Sequence, residues 1–490
     1  MRKPRAKRTR KSATKGESKT TPDVTIRAWE DDPGSGVLVD RPVPDLAHRP
    51  LAYTFPRPVP KPAAYQPGTS DFRYWTTAEA LRRGADFWAG LVPLSKWEVG
   101  PALKVLLDEG MDLNAFYDRR ALNFFHGPSP QGTVFSAESP DVACHEMGHA
   151  ILDSFKPQLW DAASHEVAAF HESFGDMSAI LSALQLPSLR TAVLSDTGGH
   201  LYRNSRLSRL AEQLGAAIRA QQPDAVDPDC LRNAVNSFTY KDPIELPPMA
   251  PARELSSEPH SFSRVFTGAF FESLGSMLAA AAETPTAPTA QELLAAATDL
   301  AKILVQAVQQ APVVPNWFAQ VAAGMVQIAQ SFDAKYPAIL KGVFVKRSIL
   351  SLHTATSVDA LHRSMAAAVA PKEDEPLAEI ALVSRHYGLD RPLLVQAASH
   401  ARPFLALASA ADASPIEPAS AATAAQGFVD DLFRSGHVDY NGAGTPETRI
   451  AHGRRLRTHR LIPRGTGIRL KRNLFDCGFC CGGPLTAEAV

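Results

Sequence analysis

The sequence predicts an α+β fold of two lobes with a C-terminal extension. Short apolar runs alternate with polar breaks over residues 105–125, which is typical of strands in a small sheet. Two segments, residues 139–155 and 162–184, have apolar residues at helical spacing, and further helical segments follow to about residue 355. With 490 residues, 45% of them hydrophobic, the chain can bury a sizeable core.

The chain divides into five predicted segments. Residues 1–70 are basic and then proline-rich, which predicts a disordered or extended tail, with order beginning near Asp71. Residues 71–187 form the first lobe, and residues 188–355 form a mainly helical second lobe. Residues 356–425 are interpreted as a helical accessory segment and a Ser/Ala/Pro/Thr linker. Residues 426–490 form a basic segment that contains cysteines.

The zero net charge hides two basic segments. Residues 1–20 carry nine Lys/Arg and one Glu, and residues 449–472 carry nine Lys/Arg and no acid. Such arms can bind nucleic acid or anionic lipid. Because no aromatic residues are interleaved with the charges, we do not expect nucleic acid as the partner. Residues 457–463 and 468–475 flank Arg-Gly-Thr-Gly, which predicts a β-hairpin.

Nothing in the sequence indicates a membrane or secreted protein. No apolar run approaches the roughly 18–20 residues that cross a bilayer, and the basic N-terminus lacks the apolar core of a secretory signal. Five unevenly spaced cysteines do not suggest a disulfide framework. We therefore expect a cytoplasmic protein without a membrane partner, and leave leaderless export open. The oligomeric state is not indicated.

The strongest chemical signal is an H-E-x-x-H motif formed by His145, Glu146 and His149. Ser139-Pro140 is a typical helix start, so the motif falls on a helix. Helix residues four apart differ by about 40° around the axis, so both imidazoles point the same way, while Glu146 can address a water without being a ligand. The motif predicts one Zn²⁺ per chain, with Glu146 as general base. Two helix-face histidines without a metal are the alternative.

A catalytic zinc needs a third protein ligand and an open position. Glu172 lies 23 residues past His149 on the second predicted helix, and Asp176 follows one turn later. Glu166, 17 residues past His149, is the competing ligand. His165 and His171 are two further imidazoles nearby. We expect them to be solvated or to support a ligand.

This arrangement resembles the gluzincin zinc peptidases, the thermolysin-like class, whose second helix carries Glu-x-x-x-Asp, here Glu172-Ser-Phe-Gly-Asp176. The resemblance covers about residues 100–355 and implies a two-lobed zincin fold with the cleft between the lobes. It implies that Glu172 binds zinc and that Asp176 accepts a hydrogen bond from His145 and orients it. The implied activity is that of an endopeptidase, in which Glu146 assists attack of a zinc-held water on a peptide or protein substrate.

The resemblance also implies residues on the substrate side. The segment with Asn114, Ala115 and Tyr117 resembles the edge strand that takes the substrate peptide by strand addition. His260 resembles the histidine that stabilises the oxyanion, and Arg203 resembles the arginine that contacts a substrate carbonyl. An ordinary loop histidine and a surface arginine are the alternatives for these two positions.

The chain departs from the class in two ways. The tyrosine expected about nine residues before Glu172 is replaced by Ala163, so that donor is missing or is supplied by Tyr202 or His165. The acidic clusters that bind structural calcium are absent after Asp176, so calcium is not expected. Two other functions stay open: a catalytically impaired scaffold or binding protein that retains zinc, and a nucleic-acid-associated factor.

The C-terminal cysteines allow several interpretations. Cys477, Cys480 and Cys481 suit a redox pair, half of a structural zinc site, a thiolate on the active-site metal, or free thiols. A structural zinc site would need a further ligand such as His452 or His459.

Overall fold

A computed structural model describes residues 24–351, 376–398, 420–440 and 457–476 of the chain. These residues form a mixed α+β structure with small sheets. Its α-helices are α1 (Ser70–Ala89), α2 (Pro140–Phe155), α3 (His165–Ala183), α4 (Pro187–Thr197), α5 (Glu212–Gln221), α6 (Pro259–Ala281), α7 (Ala290–Gln310), α8 (Trp317–Ala329), α9 (Tyr336–Lys346) and α10 (Ala421–Arg434).

The strands are short and are distributed along the described chain. They are β1 (Thr25–Trp29), β2 (Leu38–Pro42), β3 (Ala52–Thr54), β4 (Ala102–Leu106), β5 (Ala115–Tyr117), β6 (Ala121–Phe124), β7 (His126–Ser129), β8 (Gly132–Phe135), β9 (Arg209–Leu210), β10 (Arg232–Asn233), β11 (Glu379–Leu382), β12 (Leu393–Gln396), β13 (Val438–Asp439), β14 (His459–Arg464), β15 (Gly467–Arg472) and β16 (Phe475–Asp476).

The small sheet predicted over residues 105–125 is present, with the strand order β16-β5-β6-β4-β3. Strands β3, β4 and β6 are parallel, and β5 is antiparallel to β6. The outer strand β16 comes from the C-terminal part of the chain and pairs antiparallel with β5. No local pattern in the sequence indicates that this distant segment belongs to the sheet.

The two motif-bearing helices form as predicted because both have strong start signals. Ser139 caps α2 by accepting from the backbone N–H of Val142, with Pro140 at the first turn. Ser164 caps α3 in the same way through Val167. Helix α3 packs against α2 on one side and α6 on another. The motif-bearing faces are therefore held in the core.

Residues 24–69 are ordered and contain three strands, so the prediction that order begins near Asp71 is wrong. Strands β1 and β2 pair over five residues, and β3 joins the small sheet. Ile26 and Ala28 are fully buried, and the ring of Trp29 packs edge-on against Phe72 of α1. A proline-rich composition thus conceals a few apolar side chains that are enough to hold this segment on the core.

A second five-stranded sheet, in the order β11-β12-β15-β14-β13, lies in the C-terminal part of the chain. The predicted hairpin is confirmed as β14 and β15, and Gly465 in its turn has a left-handed φ of 56°. Residues 376–398 were expected to be helical, but they form β11 and β12. Their apolar residues alternate, as at Leu393 and Val395, which suits a half-buried strand.

Among the described residues, no single helix is both long and apolar enough to span a membrane, although the bent pair α3 and α4 passes by length and composition alone. The predictions for residues 1–23, for the linker up to residue 419, for His452 and for Cys477, Cys480 and Cys481 fall outside the described residues.

Candidate metal centre

Close packing of α2 against α3 depends on two glycines. A Cβ on Gly175 would lie 2.6 Å from the His145 ring, and a Cβ on Gly148 would lie 2.7 Å from the hydroxyl of Ser178. Real Cβ atoms do not approach other atoms this closely. Glycine at both positions therefore lets the acidic residues of α3 come within reach of the histidines of α2.

The motif side chains converge inside the protein. His145, Glu146 and His149 are buried, and one potential ligand atom from each lies within 4.8 Å of the others. Glu172 joins them, with Oε2 3.3 Å from Nε2 of His145 and Oε1 3.8 Å from Nε2 of His149. Tetrahedral zinc with bonds of about 2.0–2.1 Å places its ligand atoms roughly 3.3–3.4 Å apart. The spacing of this donor set therefore suits a small divalent ion.

Buried polar atoms without partners support the same conclusion. Among the described residues, neither carboxylate oxygen of Glu146 has a hydrogen-bond partner, and neither does Nε2 of His149. Leaving such groups buried and unpaired is costly, and native structures rarely do so. A metal ion with a water molecule would satisfy both side chains. The buried group can thus bind a metal ion, whose identity the side chains alone do not fix.

Asp176 orients the first histidine. Nδ1 of His145 lies 3.0 Å from Oδ1 of Asp176, so this nitrogen carries the proton and donates it. The lone pair of the ring is then on Nε2, the nitrogen that faces Glu172. Arg232 also donates to Asp176, from Nη2 at 2.8 Å. Although burial opposes ionisation, Arg232 and His145 lower the pKa of Asp176 to about 2. The carboxylate is therefore a permanent acceptor for His145.

His171 contacts His149, the second histidine of the motif. Of the two alternatives for His171, solvated or supporting a ligand, the geometry favours the second. Its Nδ1 lies 3.4 Å from Nδ1 of His149. Burial lowers the pKa of His149 to about 3 and that of His171 well below its usual value, so both rings are neutral. If His149 donates from Nδ1, its Nε2 carries the lone pair that a metal requires.

His260 lies at the second position of α6 and reaches the same cluster. Its Nε2 is 3.1 Å from Oε2 of Glu172, and its Nδ1 is 2.7 Å from Oε1 of Glu258. Burial opposes ionisation of Glu258, but His260 and nearby N–H groups lower its pKa to about 2. Both ring nitrogens face acceptors, an arrangement that suits an imidazolium, in which both nitrogens donate.

Glu146 has the environment of a base. Burial, and then the charges of Glu172 and Asp476, raise the pKa of Glu146 well above its usual range. A carboxylate with a raised pKa takes up a proton more readily than an exposed one.

The competing ligand Glu166 is engaged elsewhere. One of its oxygens accepts from the hydroxyl of Tyr240 at 2.8 Å, and the other accepts from the backbone N–H of Phe318 at 2.7 Å. The second bond joins α3 to the start of α8, and the first joins α3 to the chain before α6. Of the two glutamates of α3, Glu172 is therefore the one that meets His145 and His149.

Two arginines bear on the predicted substrate contact, one at the surface and one at the histidine cluster. Arg203 is exposed, and its Nη1 donates to the carbonyl of Thr197 at 3.3 Å. The arginine at the histidine cluster is Arg232, which is buried in the two-residue strand β10. The signal in the sequence is weak, an arginine between apolar Leu231 and Ala234, because nothing local indicates the contact with Asp176.

Neither suggested substitute for the missing tyrosine is engaged at the cluster. The hydroxyl of Tyr202 donates to the carbonyl of Asn236 at 2.7 Å. Nε2 of His165 lies 2.9 Å from Oδ2 of Asp431 on α10. The expectation that one of them supplies the donor in place of Ala163 is therefore not supported by their contacts.

The strand expected to bind substrate is present, but it is not an edge. Strand β5 has β6 on one side and β16 on the other, with Phe475 opposite Tyr117 and Asp476 opposite Phe116. The amide oxygen of Asn114 accepts from the N–H of Ala115, and the hydroxyl of Tyr117 donates to Asp153. The expected open edge at Asn114, Ala115 and Tyr117 is therefore corrected to a covered one.

No protein-family model matches the chain, and no curated protein matches it in sequence. The interpretation of the site therefore depends on its own residues and geometry.

Proposed function

We propose that the protein is a zinc-dependent endopeptidase of the gluzincin type, a hydrolase acting on peptide bonds. The observation that carries the proposal is the buried carboxylate of Glu146, which has no hydrogen-bond partner among the described residues and lies beside the unpartnered Nε2 of His149. A structural role for Glu146 would leave both oxygens unsatisfied in the core. A role toward a metal-held water and a substrate gives them partners.

The proposed zinc ligands are His145, His149 and Glu172, a set of two imidazoles and one carboxylate typical of catalytic zinc. Bound there, zinc would act as a Lewis acid toward a peptide carbonyl and would lower the pKa of a water molecule. Asp176 and Arg232 hold His145 in the tautomer that presents Nε2. The same proposal includes the two-lobed zincin arrangement, with α2 and α3 as the active-site helices.

The protein's own groups then move the protons. Glu146 takes a proton from the attacking water on a carboxylate oxygen and later gives it to the nitrogen of the leaving amine. His260 donates from Nε2 to the oxygen of the former carbonyl as its negative charge develops. Because the imidazolium is fixed by Glu258, it needs little reorganisation during the reaction.

A second candidate is a catalytically impaired protein that binds zinc. Ala163 replaces the expected tyrosine, and the contacts of Tyr202 and His165 lie elsewhere. This leaves His260 as the main oxyanion donor among the described residues. Such a protein would bind zinc tightly but would not hydrolyse peptides.

The test is prolonged incubation of the purified full chain with a peptide library, followed by identification of products by mass spectrometry. Our proposal predicts new peptide termini with zinc present, their loss with a chelator, and recovery on adding zinc back. Glu166→Gln is the matched control, since this buried glutamate lies outside the proposed ligand set and should leave the products unchanged. Tight zinc binding without any products would support the impaired protein instead.

A further inference from the structure

The C-terminal segment of the described chain, Leu474–Asp476, lies on the candidate active site. Its residues are buried, with Leu474 1% exposed, Phe475 2% and Asp476 7%. Strand β16 continues the small sheet by pairing with β5, the strand that the sequence predicted to receive substrate. Main-chain pairing of this kind is how an extended peptide adds to a sheet edge.

The side chain of Phe475 covers the histidines. Its ring stacks on His171 with centroids 4.0 Å apart and on His149 with centroids 5.1 Å apart, at an interplanar angle of 19° in each case. The guanidinium group of Arg472 also lies over this ring, with Cζ 4.0 Å from the ring centroid. A substrate side chain that entered beside His149 would have to displace this phenylalanine.

The backbone of the segment meets the candidate oxyanion donor. The carbonyl of Asp476 accepts from Nε2 of His260, the atom that also faces Glu172. A peptide carbonyl at this donor is placed as the carbonyl of a bound substrate would be. Leu474 packs with Phe116 and Phe125 in a small apolar cluster.

The segment is anchored to the body of the protein before it reaches the site. Nε of Arg472 donates to the carbonyl of Trp160 at 2.9 Å, and the N–H of Arg472 donates to Asp161 at 3.2 Å. The N–H of Asn473 donates to the carbonyl of Thr458 at 2.7 Å. A tethered strand competes at a high effective concentration, so it can exclude free peptides without binding tightly itself.

We propose that Leu474–Asp476 is an intramolecular inhibitor, which occupies the substrate-binding strand position and must leave β5 before a peptide can bind. This inference rests on the proposed peptidase function for its consequence, but its structural content is the covering of β5. Release of the segment would uncover His149, His260 and the outer edge of β5 together. Hydrolysis would then be limited by the fraction of molecules in which β5 is free.

The test compares Phe475→Ala with the parent and with Phe433→Ala, all as full chains with equal zinc. Phe433 is a matched control because it is also a phenylalanine that stacks on a ring, that of Tyr387 in the C-terminal part of the chain. Two quantities are measured: kcat/KM for a fluorogenic peptide, and hydrogen exchange of the backbone amides of Ala115–Tyr117. We expect Phe475→Ala to raise kcat/KM by about tenfold or more, mainly through KM, and to speed exchange at β5. Phe433→Ala should do neither.

The outcomes separate the two proposals. If the parent hydrolyses the peptide and Phe475→Ala does so at the same rate, the inhibitor proposal is wrong while the peptidase proposal stands. If no variant hydrolyses peptide, the peptidase proposal fails, and exchange decides the rest. Faster exchange at β5 in Phe475→Ala alone then supports the covering strand, and equal exchange in all three proteins contradicts it.

Discussion

Arg232 and Asp176 form a buried ion pair directly behind the candidate metal ligands, with Nη2 2.8 Å from Oδ1 and Nε 3.1 Å from Oδ2. The same carboxylate accepts from His145 at 3.0 Å. The three side chains come from α3, β10 and α2, so the pair links one proposed ligand to two other elements. Its charge balance keeps the carboxylate ionised in the core.

Asp176→Ala should weaken zinc binding by about tenfold to a hundredfold, because His145 loses the acceptor that fixes its tautomer and ring orientation. The affinity can be measured by competition with a chelator of known affinity. Asp431→Ala is the matched control, since Asp431 also pairs with a histidine, His165, but not with a proposed ligand. An unchanged affinity in Asp176→Ala would show that this contact does not support the metal.

The two glutamates of α3 should differ sharply in their effect on metal content. Glu172→Ala should lose zinc, because its carboxylate lies within 4 Å of both histidine Nε2 atoms. Glu166→Ala should retain zinc, since its oxygens are bonded to Tyr240 and Phe318. Metal analysis of the purified variants checks this. The reverse order would move the third ligand to Glu166.

Glu166 should make stability depend on pH. Burial raises the pKa of Glu166 to about 8, despite hydrogen bonds from Phe318 and Tyr240 that lower it. The folded state therefore holds this proton over a range in which the unfolded state has lost it, from about pH 4.5 to pH 8. Its contribution to the free energy of unfolding is fully present below this range and is lost as pH rises through it.

Urea unfolding of the parent and of Glu166→Gln at several pH values measures that contribution. The free energy of unfolding of the parent, relative to the variant, should fall between pH 5 and pH 8, by an amount on the order of a few kcal/mol. The glutamine cannot ionise, so it lacks this dependence. A difference that stays constant over the range would show that Glu166 does not hold its proton in the folded protein.

His260→Ala should lower turnover strongly because its partner, the oxyanion, exists only during the reaction. One such donor is typically worth about 2.7–4 kcal/mol, or roughly a hundredfold to a thousandfold in kcat. Arg203→Ala is the comparison: this side chain is exposed and bonded to the carbonyl of Thr197, so we expect the substitution to leave kcat unchanged. Equal turnover in the two variants would remove His260 from the mechanism.

The sequence was most informative where the signal is local. The cap at Ser139, the four-residue spacing of His145 and His149, and the apolar stripe of α3 each lie within one element. Their positions could therefore be predicted to within a few residues from helix periodicity and capping. Small sheet strands near residues 105–125 followed from alternation in the same way.

The remainder of the site depends on contacts between distant parts of the chain. Arg232 meets Asp176 across 56 residues, and Asp476 meets His260 across 216 residues. Neither contact has a periodic or motif signal, because tertiary packing alone brings these residues together. For the same reason, no local pattern in the sequence indicates that β16 covers the outer edge of β5.

In the function we propose, Glu146 acts as a general base beside a zinc ion without binding that ion. The most direct measurement is the peptide hydrolysis rate of Glu146→Gln against the parent, at zinc contents shown to be equal by metal analysis. Glu138→Gln serves as a control, since Glu138 is also buried but pairs with Arg73. We predict that Glu146→Gln retains zinc and that its hydrolysis rate falls by about a hundredfold or more. Glu138→Gln should hydrolyse the peptide at the parental rate. Hydrolysis by Glu146→Gln at the parental rate would contradict the account.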